Sequence, residues 1–314
     1  MKEYIIGKNE AGQRFDKYIF KLLKNAGTGL IFKQLRNKNI VLNGKKAKGN
    51  EILKENDSVR IFMSDDTINK FTGGPLHISK TGFRLDVIYE DDDILLASKP
   101  VGVLSQKSSD KDISMNEYLI EYLTDNGFGK ESLATFKPSF CNRLDRNTSG
   151  LMIAGKSLRG LQKMSEIIKD RSIHKFYLTI VKGKVDKKSV IKGYLRKDEK
   201  NNKVVIYDNP VKDGYEIHTE YEPLATKDDM TLLKVRLITG KTHQIRAHLA
   251  GISHPVLGDF KYGDKVFNEK YGEKKQLLHS YQVVFPKLDD FPDISEKSFN
   301  TPYPVNFTKY FKEN

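Results

Sequence analysis

Asp145 stands close to two guanidinium groups, Arg143 and Arg146, in the stretch Asn142-Arg143-Leu144-Asp145-Arg146-Asn147-Thr148-Ser149-Gly150. Phe140-Cys141 before it and Leu151-Met152-Ile153-Ala154 after it read as short buried strands, with Asn147, Ser149 and Gly150 supplying turn chemistry between them. The acid is therefore expected at the mouth of a sheet. A carboxylate placed there stays ionised only if a cation compensates for its lost hydration, and in that state it can serve as a nucleophile or base at neutral pH. The same spacing also suits a structural Arg–Asp pair that pins a turn. His243, His248 and His254 match no zinc-binding spacing, and the single Cys141 completes no cysteine site, so no metal is expected.

The stretch from Asn142 to Gly150 resembles the His-Arg-Leu-Asp-x-x-Thr-Ser-Gly signature of the RluA-type pseudouridine synthases, whose aspartate is catalytic. Asn142 stands where that family usually has His. Further motifs agree. Lys99-Pro100-Val101-Gly102 resembles the family's Lys-Pro-x-Gly, here read as a strand exit with no catalytic role. Tyr177, in the alternating run from Lys175 to Gly183, falls on the active-site tyrosine of Lys-x-Tyr. A phenol in a strand is ordinarily core, but beside Asp145 it can stack on a uracil ring and offer its hydroxyl to a proton transfer. Thr239-Gly240-Lys241-Thr242-His243-Gln244-Ile245-Arg246 resembles Thr-Gly-Arg-x-His-Gln-Ile-Arg, which implies that Arg246 pairs with the catalytic aspartate. A bidentate guanidinium suits a half-buried carboxylate.

The resemblance implies isomerisation of a uridine within RNA. Uracil is detached from its ribose, turned and rejoined through carbon 5, with no oxidant, metal or cofactor. Because a stacked base is unreachable, it must be flipped out. By its match to the family's arginine, Arg143 would occupy the gap and touch phosphate, and Leu278 would line the uracil pocket. Three routes stay open for Asp145: attack on the anomeric carbon, addition to carbon 6 of the ring, or deprotonation of the ribose.

These residues need elements to position them. Strand-like runs at residues 85–90 and 94–100, and alternating strands with a few helices beyond them, predict an α+β catalytic domain on a mixed, mostly antiparallel sheet over residues 84–314. A helix carrying Leu158, Leu161, Met164, Ile167 and Ile168 is expected after a Ser157 cap, and a second helix is expected to be capped by Thr242 and to stop near Gly251. Residues 287–314 read only as a surface segment. Ahead of this domain, residues 12–63 predict two helices, an Asn43-Gly44 hairpin and a returning strand. Arg14-Phe15-Asp16-Lys17, Leu35-Arg36, Val41-Leu42-Asn43-Gly44 and Asp57-Ser58-Val59-Arg60-Ile61 resemble the RNA-binding domain of small-subunit ribosomal protein S-four. That implies an RNA-binding domain over residues 1–64, with Arg14, Lys17, Arg36, Lys45 and Lys46 as phosphate contacts. The polar, glycine-containing residues 65–83 read as a linker.

Composition agrees with a nucleic-acid partner. The 314 residues carry a net charge of +13, and their 38% hydrophobic content is enough for a core. Residues 1–64 hold 14 Lys and Arg against 6 Asp and Glu, so about a fifth of the chain carries +8 of that surplus. The lone cysteine, the absence of a signal-like start and the absence of any long apolar run predict a cytoplasmic protein free of membranes, expected as a monomer. Ribosomal RNA, specifically 23S, is the first expected substrate and transfer RNA the second. Two rival readings are a non-catalytic RNA-binding assembly factor and a glycoside hydrolase. The latter needs a second carboxylate near Asp145.

Overall fold

In the computed structural model, which describes residues 1–73, 80–130 and 132–312, the chain builds two separate sheets. The first joins β1 (Lys2–Ile5), β2 (Ile40–Leu42), β3 (Lys45–Lys46) and β4 (Ser58–Ile61) in the antiparallel order β1-β4-β2-β3. Asn43 and Gly44 link β2 to β3 with φ of 51° and 72°, the left-handed pair that a tight hairpin requires. Helices α1 (Phe15–Leu22) and α2 (Thr28–Arg36) cover this sheet. Phe15, Ile19, Leu22, Ile31 and Leu35 meet Ile40, Val59 and Ile61 in its core.

The segment read as a linker is partly a helix. Ser64 accepts from the Thr67 amide and starts α3 (Asp65–Thr72), which Gly73 ends in the left-handed conformation. Ile68 is buried in the first sheet's core and Phe71 packs against it, so α3 is part of that body. Residues 74–79 of the expected linker lie outside the described residues. Beyond them, the amides of Thr81 and Gly82 donate to the Glu121 carboxylate, and Phe83 stacks on Tyr118 at 4.0 Å between ring centres.

The second sheet carries the remaining strands: β5 (Asp86–Glu90), β6 (Ile94–Lys99), β7 (Ser139–Phe140), β8 (Ser149–Gly155), β9 (His174–Lys182), β10 (Ser189–Asp198), β11 (Lys203–Tyr207), β12 (Tyr215–Lys227), β13 (Met230–Leu237), β14 (Leu278–Val284) and β15 (Ser298–Asn300). Its main path runs β11-β10-β12-β13-β9-β14-β8-β6-β5. Every pairing is antiparallel except β14 with β8, so the mixed, mostly antiparallel α+β architecture is observed. Continuous apolar runs supply the middle strands because both faces there are covered. On one face Leu95, Ala97, Met152 and Ala154 pack against α4 (Met115–Asp125) and α6 (Gln244–Gly251). Their alternating neighbours Ile94, Leu96, Leu151 and Ile153 pack against α5 (Leu158–Lys169), which Ser157 caps.

Residues 287–314 are more than surface. Leu288, Phe291 and Ile294 complete the core beside α5. In a different cluster, α8 (Val305–Thr308) brings Phe307 into the interior with Tyr310 and Phe311, against Phe267 of α7 (Lys265–Tyr271). Burying such side chains is worth roughly 1.5–3 kcal/mol each, which explains why an irregular tail docks firmly. Among the described residues no helix is long and apolar enough to cross a membrane.

Candidate active site

The loop between β7 and β8 holds Asp145, and it is tied down at every step. Asn142 Oδ1 accepts from the Ile153 amide at 2.8 Å, so the asparagine in the histidine's place anchors the loop to β8. The Ser105 hydroxyl accepts from the Leu144 amide at 3.0 Å and donates to the Leu144 carbonyl at 2.8 Å. The Thr148 amide closes the turn on the Asp145 carbonyl at 3.0 Å, and the Thr148 hydroxyl accepts from Gln276 at 2.7 Å. Ser149 meets His279 at 2.8 Å. Gly150 is required at the loop's end. Its φ is 106°, and a Cβ there would lie 2.1 Å from the Ser280 carbonyl oxygen across the parallel β8–β14 step.

Lys99, at the end of β6, lies beneath this loop and is fully buried. Its ammonium donates to the carbonyls of Pro100 at 2.9 Å, Val103 at 2.7 Å and Arg146 at 2.9 Å. Burial pulls its pKa down from 10.5 to about 8, with the charge of Asp145 opposing that fall.

Helix α6 delivers the cation. Arg246 Nη1 donates to Asp145 Oδ2 at 2.7 Å, while its Nε and Nη2 grip Asp259 at 2.6 and 2.9 Å. Arg246 is thus shared between two carboxylates, and its side chain is only 8% exposed. Burial works against its charge, but hydrogen bonds and charge from Asp259, reinforced by Asp145, hold its pKa above the usual arginine value. Burial likewise opposes the ionisation of Asp259. Arg246 and the amides of Lys261 and Tyr262 more than offset that cost and hold its carboxyl below the usual range. No described residue donates to Asp145 Oδ1.

The entry to α6 differs from the expected Thr242 cap. His243 occupies the cap position with φ of 55°, and no side chain caps the helix there. Gln244 does the holding instead: its carbonyl accepts from the Thr239 hydroxyl and the Lys241 amide, and its amide group donates to the His218 carbonyl and the Thr219 hydroxyl. The left-handed turn brings His243 Nε2 within 3.9 Å of Asp145 Oδ2, with Nδ1 2.9 Å from the Tyr262 hydroxyl. That hydroxyl also accepts from the Val204 amide, which ties the His243 turn to β11. Burial keeps His243 below its usual pKa. His248 is structural, bonded to Thr219 inside the core, and burial lowers its pKa to about 4.

Tyr177 sits mid-strand on β9 opposite Ser280 of β14, buried to 5% exposure. Burial pushes its phenol up to about 12, with the Ser280 side chain pulling the other way and Asp145 reinforcing the rise. Leu278, Leu144 and Ile245 share its apolar cluster.

Asp145, Arg246, Tyr177 and Leu278 are therefore brought together. Arg143 and Arg146 are exposed on the flanks of the loop, and the cation that reaches the carboxylate is the distant Arg246. Arg14, Lys17, Arg36, Lys45 and Lys46 are exposed around the N-terminal sheet, where Arg14 is paired with Asp16 at 2.7 Å. Sequence reasoning missed Lys99, Ser105, Asp259 and Tyr262 as parts of this site. The Lys-Pro-x-Gly motif was the available signal for Lys99. Among the described residues no group of three or more His, Cys, Asp or Glu is arranged to hold a metal ion.

Asp259 is a second carboxylate sharing Arg246 with Asp145, the feature a glycosidase would need. A glycosidase acid requires a raised pKa and access to the leaving group. Asp259 has the opposite character, with its pKa held down and its side chain at 0% exposure.

Comparison with known proteins gives a consistent result. Residues 93–251 match the family model described as RNA pseudouridylate synthase. An uncharacterized RNA pseudouridine synthase of Mycoplasma genitalium is 31% identical over 94% of this chain and 93% of its own length. Ribosomal large subunit pseudouridine synthase C of Pasteurella multocida is 29% identical over 91% of this chain and 86% of its own. Among solved structures, human RNA pseudouridylate synthase domain containing 4 superposes with a TM-score of 0.57 at 21% identity, over 71% of this chain and 90% of that one, a likeness of fold.

Proposed function

Because the chain belongs to the RNA pseudouridylate synthase family and is an RNA pseudouridine synthase of the RluA type, we propose that it isomerises uridines of large-subunit ribosomal RNA, with Asp145 as the catalytic residue. The observation that carries this reading is the 2.7 Å pair between Arg246 and Asp145, with Arg246 itself gripped by Asp259. The guanidinium takes Oδ2 and leaves Oδ1 for the substrate. Attack on the anomeric carbon, addition to carbon 6 and deprotonation of the ribose all begin from an ionised Asp145 held in this way.

The remaining residues do the positioning. Tyr177, with its phenol at about 12, keeps its proton at neutral pH, so it packs against the uracil and donates a hydrogen bond rather than acting as a base. Leu278 extends the apolar floor. Flipping the uridine costs a few kcal/mol, and Arg143, exposed two residues before Asp145, offsets part of that cost by filling the gap and meeting phosphate. A purely RNA-binding assembly factor would leave the Arg246 clamp without a use.

The N-terminal body, extended through α3 to residue 73, acts in this reading as an S-four-like RNA binder whose lysines and arginines meet phosphate. The catalytic part then begins near residue 84. The relatives named for the large ribosomal subunit support 23S ribosomal RNA ahead of transfer RNA. A reducing cytoplasm suits Cys141, whose thiol burial raises to about 11, and one chain carries the whole cluster as a monomer. Mapping pseudouridines in RNA from cells with and without this gene tests the proposal. Loss at positions in large-subunit ribosomal RNA is expected. Loss confined to transfer RNA would reassign the substrate, and loss in neither would refute the reading.

A further inference from the structure

Phe260 is 69% exposed, although it directly follows one of the most tightly held residues in the protein. Asp259 is fixed by Arg246 on one side and by the amides of Lys261 and Tyr262 on the other. Gly263 folds so closely over this turn that a Cβ there would lie 1.9 Å from the Asp259 carbonyl oxygen. The backbone at residue 260 is therefore held rigidly while its ring stands in water.

The ring borders a cleft of about 350 Å³, lined also by Asn147, Lys203, Arg246, Gly258, Lys261 and Gln276. That size falls within the roughly 300–1,000 Å³ typical of small-molecule sites. The lining takes in Asn147 and Arg246 but neither Asp145 nor Tyr177, so an occupant would lie beside the reacting uridine. Three cations converge on the cleft. Burial first, then repulsion from Arg246 and Lys203 with Asp145 and Asp259 opposing, draws the Lys261 ammonium's pKa below its usual value. Lys261 is also tied to the Asn202 carbonyl at 2.5 Å, which fixes the β10–β11 turn at the cleft's edge.

An exposed aromatic face beside lysines is the pairing that recognises a nucleotide of single-stranded RNA, the base on the ring and the phosphate on the cations. We propose that Phe260 is the stacking platform for a base flanking the uridine to be isomerised, with Lys203 and Lys261 holding the adjoining phosphate. The proposal rests on the reading of Asp145 as the catalytic residue. It makes Phe260 a substrate-positioning group that tolerates any base, because every base has a π face.

The chain contains no tryptophan, so Phe260→Trp introduces a single indole at this point. Titrating that variant with a ten-nucleotide oligouridylate should quench the indole emission to saturation as a base stacks on it. Phe260→Ala should bind the same oligonucleotide at least about five-fold more weakly, the lower end expected for loss of one base–aromatic stack. Phe260→Leu, which keeps apolar bulk without a π face, should resemble Phe260→Ala, and Phe260→Tyr should resemble the parent. All four variants should melt with the parent, since the ring is not part of the core. Unchanged indole emission at saturating RNA, or parental affinity in Phe260→Ala, would overturn the proposal. Failure of the catalytic reading would appear separately, as absence of pseudouridine from the parent's own product.

Discussion

Replacing Lys99 with Met separates what the buried ammonium does for stability from what it does for Asp145. The substitution leaves the carbonyls of Pro100 and Val103 without their donor, while the Arg146 carbonyl keeps its bond from the Gly102 amide at 2.8 Å. Two orphaned carbonyls cost about 1–3 kcal/mol each. Against this, Met removes a buried charge whose pKa has fallen from 10.5 to about 8, which is worth roughly 3 kcal/mol. The net effect therefore runs from about 1 kcal/mol of stabilisation to about 3 kcal/mol of destabilisation. The larger effect is positional. Lys99 holds the Arg146 carbonyl, the next peptide after Asp145, and misplacing a catalytic group by about 1 Å can cost a hundred-fold. Pseudouridine formation by Lys99→Met should thus show kcat lowered on the order of a hundred-fold with KM little changed. A second readout follows from linkage. Between pH 8 and 10.5 the unfolded parent binds more protons at Lys99 than the folded one, so this group makes parental stability rise with pH across that window. Urea titrations at pH 7.5 and 9.5 should show the rise reduced in Lys99→Met. A kcat within three-fold of the parent, or an identical pH dependence of stability, would refute the tethering role.

Arg246→Lys should not rescue activity, because a lysine cannot hold Asp145 and Asp259 at once in the way the guanidinium fork does; a loss of about a hundred-fold or more in kcat is expected in single-turnover assays, and near-parental turnover would contradict it. Deleting residues 1–73 should weaken RNA binding and flatten its dependence on salt while leaving turnover measurable at saturating RNA, as a salt series of binding isotherms would show. Equal salt slopes for the two forms would mean that the N-terminal charge serves another partner.

Where local chemistry decides the structure, the sequence is legible. Asn43-Gly44 admits a left-handed hairpin turn, Ser157 caps α5, and the runs 94–99 and 149–155 are too apolar to lie anywhere but mid-sheet. The strand, loop and strand around Asp145 follow from the same cues. Long-range pairings are another matter. Lys99 meets Arg146 across 47 positions and Arg246 meets Asp145 across 101, encounters fixed by strand order rather than by any local pattern. Arg246 was reachable through motif resemblance, whereas the flanking Arg143 and Arg146 suggested a nearer cation that the loop does not use. Helix α3 was hidden because Ile68 and Phe71 are too few to set a helical stripe, and the docked tail because Leu288, Phe291 and Ile294, three apart, make only short turns before the distant Phe307. The left-handed His243 turn escaped notice because its geometry is imposed by the Gln244 bonds and by Tyr262 rather than by an intrinsic preference of histidine.

The central claim, that Asp145 carries the isomerisation, is tested most directly by Asp145→Asn assayed on an unmodified transcript of large-subunit ribosomal RNA. Pseudouridine is counted by site mapping, and RNA affinity is measured in parallel. The amide keeps the size of the carboxylate but removes its charge, and phosphate contacts elsewhere supply most of the affinity. The account predicts binding close to that of the parent and no detectable pseudouridine; substantial pseudouridine made by Asp145→Asn would contradict it.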